Sequence, residues 1–463
     1  MQIPRIMLAA PASGNGKTIA ACGLMAGFQQ MHKEVRACKC GPDYIDPMFH
    51  RTVLGVDSEN LDLFFSEEAE LEKNFCSHAK EADITIVEGV MGYYDGMTLG
   101  SVKGSAYEIA KALRIPVILV LPCKGMAASA LAVLKGLVEY QKDSNIKGVL
   151  LNRISPALYL RMKEMVEQGL KEMGYKDISV LGYLPEDKVF QLESRHLGLI
   201  TPEEIDGLMQ QMKHAGEMVS KTVDMEKISE IAELAEALNP NLEDWREDGT
   251  QKQKVRIAVA RDRAFCFYYK ENLEYLKKLG CELTFFSPME DRHLPEGCDG
   301  LLLGGGYPEL YAKELEANQE IMTEIRKQIL EGLPCLAECG GFQYLQENLE
   351  DADGKIRRMA GVISSSSRNQ RRLVRFGYIT VEGIEDGMYL KRGEQIRGHE
   401  FHHWDSSSNG DACRAVKPDG KRSWPCIHAK GSLFAGYPHL HYPSNPDFAR
   451  RFVEACLIYR MRR

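Results

Sequence analysis

An apolar strand that runs straight into Pro11-Ala-Ser-Gly-Asn-Gly-Lys-Thr18 and then into a helix leaves this chain few choices of fold. Gly14 and Gly16 let the backbone curl so that successive N–H groups face one point, and the helix N-terminus adds partial positive charge there. A loop of this kind cradles phosphate when a strand precedes it and a helix follows. Pro11 occupies the place of the usual first glycine, so the strand–loop–helix context carries the reading. Gly14, Asn15 and Gly16 would line the loop, Lys17 would reach the β- and γ-phosphates of a nucleotide, and Thr18 would bind Mg²⁺.

The rest of the first half agrees with a mostly parallel sheet. Apolar, β-branched segments at 6–10, 35–40, 83–88, 117–121 and 149–152 alternate with helical patterns at 17–31, 105–113 and 127–140. Such alternation implies an α/β fold with helices on both faces. Runs such as Ile84-Thr-Ile-Val87 suit burial on both sides. Two acidic motifs follow strands and so fall on the same rim as the phosphate loop, where open α/β sheets bind ligands. They are Cys40-Gly-Pro-Asp-Tyr-Ile-Asp-Pro47 and Glu88-Gly-Val-Met-Gly-Tyr-Tyr-Asp-Gly96. Glu88 ends an apolar strand, the place for a Mg²⁺-directing carboxylate, and Asp43 is a second candidate. Farther along, Asn152 could read an adenine edge or be a strand-end amide, and 181–185 falls where base-reading loops lie.

Residues 226–254 change character: a charged helical stretch gives way to a polar run from Asn239 to Lys254 that reads as a linker. The expected domains are therefore 1–225 and 255–463. The second shows strands at 255–260, 301–303 and 334–338 with a helical region at 310–330. In Pro334-Cys-Leu-Ala-Glu-Cys-Gly-Gly-Phe342 a strand meets a helix at a sharp turn, which would expose Cys339 as a nucleophile with its thiol pKa lowered by the helix. Gly340, with Gly305 and Gly306 of the Leu303-Gly-Gly-Gly-Tyr-Pro-Glu309 loop, could donate N–H bonds to an oxyanion. His439 and His441 share one face of an extended segment and are candidate bases, since a cysteine with a distant histidine suits acyl transfer.

Composition narrows the rest. The 463 residues exceed one ordinary domain, and a net charge of −8 without a basic stripe gives no reason to expect a nucleic-acid partner. No apolar run is long enough to span a bilayer, and the N-terminus reads as a first strand, not a signal peptide. Thirteen cysteines without CxxC spacing suit reduced thiols in the cytoplasm. Gly398-His-Glu-Phe-His-His403 contains the string of zinc peptidases, but that chemistry needs both histidines on one helix face, and this segment reads as a strand entering a loop.

Taken in order, residues 11–18, GPDYIDP at 41–47, EGVMGYYDG at 88–96, GGGYPEL at 304–310, AECGG at 337–341, GHEFHH at 398–403 and HLH at 439–441 resemble the cobyrinic acid a,c-diamide synthase family over essentially the whole chain. The resemblance implies a P-loop, dethiobiotin-synthetase-like domain followed by a class I glutamine amidotransferase-like α/β domain. It implies ATP with Mg²⁺, L-glutamine as nitrogen donor, and amidation of the c and a acetates of a corrinoid through an acyl phosphate. Cys339 would be the glutaminase nucleophile and His439 its base, while His441 stands where the wider fold carries a glutamate. Tyr44, Asp46 and Asp95 would orient the macrocycle or the acyl phosphate. Lys39 would hold the phosphoryl group, and residues 194–198 would touch substrate. A homodimer is left open. Two rivals also stay open: the same chemistry on hydrogenobyrinic acid or a nickel-sirohydrochlorin, and a regulatory ATPase with an inactive amidotransferase-like domain.

Overall fold

The computed structural model describes residues 1–191, 202–240 and 254–463, and the chain divides into two compact units, Met1–Asp244 and Trp245–Arg463. Residues 194–198 lie outside the described residues.

The first unit is built on seven strands: β1 Arg5–Ala9, β2 Val35–Cys40, β3 Ser58–Leu61, β4 Ile84–Glu88, β5 Val117–Pro122, β6 Ile146–Asn152 and β7 Ser179–Leu184. They form one sheet in the order β3-β2-β4-β1-β5-β6-β7, parallel throughout. Alternation explains the two-sided core: β1 sends Ile6 and Leu8 to one face and Met7 and Ala9 to the other. The first face is covered by α1 (Lys17–Gln30) and by part of the helix Pro202–Thr222, the second by helices that include Glu68–Ala79 and Pro156–Glu172. The chain leaves β1 towards β2 on one side but crosses from β4 to β5 on the other, so a ligand crevice opens over the carboxyl ends of β1 and β4.

Two expectations change. The start of the supposed linker is the helix Met225–Glu233, whose Met225, Ile228, Ile231 and Ala232 are buried in the first unit's core, as is Leu238 beyond it. Its polar face is long and charged, and that masked an apolar stripe. Residues 181–184 belong to β7 and are not a loop. Edge strand β3, Ser-Glu-Asn-Leu, carries almost no apolar signal because an edge needs little burial.

In the second unit, strands Cys281–Phe286, Val255–Ala260, Gly300–Leu303, Cys335–Glu338 and Leu433–Gly436 lie parallel in that order, with His428–Lys430 antiparallel at the end. One face packs on the short helix Gly340–Leu345 and on Gln319–Leu330. The other packs on the C-terminal helix Pro446–Arg462 and on a five-stranded antiparallel sheet built around Arg375–Gly383 and Gln395–His402. The zinc-like string is a strand, and among the described residues no cluster of three or more metal-binding side chains occurs.

Candidate active sites

The phosphate loop takes the shape its glycines allow. Gly14 and Gly16 have φ of 74° and 90°, and a Cβ on Gly16 would meet the Asn152 amide nitrogen at 2.4 Å. That amide donates to the Asn15 carbonyl at 2.8 Å, and Arg153 donates to the Gly14 carbonyl at 3.1 Å, so the end of β6 braces the loop. Lys17 folds back to donate to the carbonyls of Ala12 and Met91. Burial, and then the charge of Lys39, bring its pKa down to about 8. Phosphate oxygens would replace those carbonyls and restore the charge.

Behind the loop lies a buried charge cluster. The Thr18 hydroxyl donates to Glu88 Oε1 at 2.5 Å, and Lys39 Nζ donates to the same oxygen at 2.7 Å while pairing with Asp46. Glu88 and His50 are completely buried, with His50 Nε2 3.6 Å from Glu88 Oε2 and His50 Nδ1 3.1 Å from the Ser58 hydroxyl. Burial opposes charge on Lys39, but Glu88, Asp46 and Asp43 outweigh it and hold the ammonium well above its ordinary range. Burial likewise opposes charge on Glu88, yet Lys39 and His50 hold that carboxyl well below the usual range. Asp46 is pushed up by burial and by Glu88.

The remaining predicted residues fall around this rim. Asp43 accepts from the Ile45 N–H at 2.8 Å and so caps the helix Ile45–Val53, whose N-cap position is Tyr44 and whose first turn carries Asp46. Asp95 accepts from the Gly92 N–H at 2.8 Å and closes its own turn. His50 and Ser58 were not anticipated; His50 matters through Glu88, a partner distant in sequence, which local spacing cannot reveal.

In the second unit Cys339 directly follows the strand Cys335–Glu338 at φ 47° and ψ −101°, a conformation non-glycine residues rarely adopt. Its N–H donates to the Gly436 carbonyl at 2.8 Å, and that of Gly341 to the Gly304 carbonyl at 2.9 Å. The Gly306 nitrogen lies 3.1 Å from where a Cβ on Gly340 would stand, so the two glycine turns meet. A Cβ on Gly305 would lie 2.3 Å from His439 Cε1, which sets the imidazole directly over the glycine loop. The helix does not lower the thiol pKa as expected: burial, then Glu309, push it well up. Burial takes His439 down to about 3. Burial thus favours the uncharged form of each group.

His441 is buried as well. Its ring meets that of Tyr269 edge-on at 6.2 Å, and the His441 backbone N–H donates to the Arg397 carbonyl. Three groups near the thiol were missed. Glu338 directly precedes the cysteine, and Glu400 and His402 lie in the string set aside as zinc-like. His402 stacks on Tyr437 at 3.9 Å.

Comparison with known proteins assigns each half of the chain to a family. Residues 6–200 match the CobQ/CobB/MinD/ParA nucleotide binding domain family, and residues 256–447 match the CobB/CobQ-like glutamine amidotransferase domain family. The chain is similar to the cobyrinate a,c-diamide synthase of Caldanaerobacter subterraneus subsp. tengcongensis, with 37% identity over 453 residues covering 97% of this chain and 98% of the relative. The same named protein from Listeria innocua is 37% identical, with 96% and 97% covered. That from Salmonella typhimurium is 36% identical, with 97% of each covered.

Proposed function

The chain belongs to the cobyrinate a,c-diamide synthase family, and from that premise we propose how its two sites divide the reaction. It is a glutamine-dependent amidating ligase of cobalamin biosynthesis that converts the a and c acetates of cobyrinic acid to amides. A carboxylate does not condense with ammonia at neutral pH, so its oxygen first attacks the γ-phosphorus of ATP. ADP leaves, and an acyl phosphate forms. Ammonia then attacks the acyl carbon and inorganic phosphate departs. Phosphoryl transfer of this kind depends on positioning and charge neutralisation.

What carries the reading is the cluster of Thr18, Glu88, Lys39 and Asp46 at the head of α1. The Thr18 hydroxyl and Glu88 carboxylate are hard oxygen donors side by side, which fits Mg²⁺, with Asp43 as a further carboxylate. Thr18 and Glu88, with Asp43, would hold the ion, and a Mg²⁺ there would supply positive charge to offset that of the phosphates. Lys17 and Lys39 supply the other positive charges, Lys39 facing the transferred phosphoryl group. Tyr44, Asp46 and Asp95 lie on the rim that would receive the corrinoid. Asn152 holds the loop from below by its bond to Asn15, which accounts for it without an adenine contact.

In the second unit the Cys339 sulfur attacks the carboxamide carbon of glutamine. His439 takes the thiol proton and returns it to the leaving ammonia. Water then hydrolyses the thioester to glutamate. Gly340 and the Gly305–Gly306 turn face the oxyanion.

Mass spectrometry of cobyrinic acid incubated with protein, ATP and Mg²⁺ tests the division. With glutamine, the native chain should replace two hydroxyls by amino groups. Cys339→Ala should do so only with ammonium at high pH. If Cys339→Ala makes no amide from ammonium, the two-site reading fails. Hydrogenobyrinic acid in the same assay separates the metal-free substrate.

A further inference from the structure

His441 stands where related folds carry a glutamate, but its ring packs edge-on against Tyr269, and a histidine that accepts a proton at Nε2 needs an acceptor at Nδ1. We propose that Glu338, the residue directly before the nucleophile, is the positioning residue that orients His439 and balances the charge it gains. This rests on the assignment of Cys339 and His439 as nucleophile and base.

The geometry is specific. Glu338 ends the strand Cys335–Glu338, and its Oε2 lies 3.9 Å from His439 Nδ1, both side chains being almost wholly buried. The Tyr442 hydroxyl donates to Oε1 at 3.1 Å, and the Leu440 backbone N–H also donates to the carboxyl. The segment carrying the base therefore wraps the carboxyl, with donors from 440 and 442 holding it against the ring of 439. At 3.9 Å the pair is a small movement short of a hydrogen bond, and catalytic contacts commonly tighten once substrate is bound.

The logic is that of a nucleophile, base and orienter in series. Proton transfer from Cys339 to His439 leaves an imidazolium in a site with almost no water. An ionised carboxyl at Nδ1 fixes the tautomer that leaves Nε2 free to accept and offsets the new charge. The titratable groups facing Glu338 are His439, Cys339, Tyr442 and Tyr268. Burial pushes Glu338 up to about 8. Only the ionised form accepts from Nδ1–H, so glutamine turnover should climb with pH through that region.

Glu338→Gln preserves shape and removes the charge. Its kcat for glutamine hydrolysis should fall on the order of 100-fold with KM for glutamine unchanged. The alkaline rise of the pH profile should vanish, Glu338→Asp should recover part of the rate, and ammonia-dependent amidation should stay at the native level. In a His439→Asn background the same change should cost nothing further, because the two act as one unit. A native kcat and pH profile in Glu338→Gln would overturn the proposal. So would an additional full loss in the His439→Asn background, or loss of ammonia-dependent amidation. Glutamine hydrolysis by Cys339→Ala would instead sink the underlying thiol assignment, a result independent of these.

Discussion

At the scale of single residues, Lys39 is the hinge of the first site. It is the ammonium between two buried carboxylates, Glu88 and Asp46, and neither has been left facing water. Taking it away strands both charges in a dry place. Lys39→Met should therefore cost about 3–5 kcal/mol in denaturant unfolding followed by circular dichroism. It should also abolish ATP-dependent amidation while glutamine hydrolysis persists. Adding Asp46→Asn should return part of the stability without the activity, since one of the stranded charges is gone. Retained stability in Lys39→Met would mean that water reaches the cluster. None of this pairing was visible in the sequence. Lys39 was singled out only by resemblance, and Glu88 only because it ends an apolar strand. His50 and Ser58 gave no signal, because they become neighbours through α2, the helix Ile45–Val53, and an edge strand that bury no long apolar run.

At the scale of elements, the two loops that do chemistry were the most legible parts of the chain. Each is a short, continuous motif whose physics is local: a residue at positive φ, Gly16 in one and Cys339 in the other, directly before a helix start. The glycine loop at 304–306 shows how far that locality extends. Its second glycine is needed for the space it leaves, since a methyl group there would meet His439 at 2.3 Å, and the ring has little freedom to retreat in a closed site. Gly305→Ala should lower glutamine hydrolysis by on the order of 100-fold, the usual result of displacing a catalytic group by about 1 Å. Ammonia-dependent amidation should be untouched, and a near-native glutaminase rate would place the imidazole elsewhere. Less legible were elements whose hydrophobic pattern is weak or shared. The five-stranded antiparallel sheet of the second unit was not foreseen. Strand Gln395–His402 carries polar groups on its inner face, with Glu400 and His402 buried, so it lacks plain apolar alternation.

At the scale of the whole molecule, each unit has its own core and its own site, and no helix among the described residues is long and apolar enough to cross a membrane. The second unit buries groups of opposite pH response, and their balance sets its stability. His399, His439 and His441 are each brought by burial from 6.5 down to about 3. The neutral forms are favoured in the fold, so their contribution is present above pH 6.5 and is lost as pH falls towards 3. Glu309 and Glu338 are pushed by burial from 4.5 up to about 7 and about 8. Their contribution is full below pH 4.5 and is lost as pH rises through those values. Glu394, held down to about 2 chiefly by its bond to Arg451, steepens the acid side. Each proton difference between unfolded and folded states is worth roughly 1.4 kcal/mol per pH unit. Three histidines against two carboxyls give a gentle rise from pH 4.5 to 6.5, a steep fall below 4.5 and a decline above 6.5. Trp404 and Trp424 lie in the second unit, so their fluorescence follows its unfolding. Denaturant midpoints taken that way should peak near pH 6.5. Glu309→Gln should remove only about a quarter to a third of the decline on the alkaline side, because Glu309 gives up its proton near 7 and Glu338, which remains, only near 8. A profile that keeps rising to pH 8 in the native chain would show that these carboxyls are ionised in the fold, held there by partners stronger than burial.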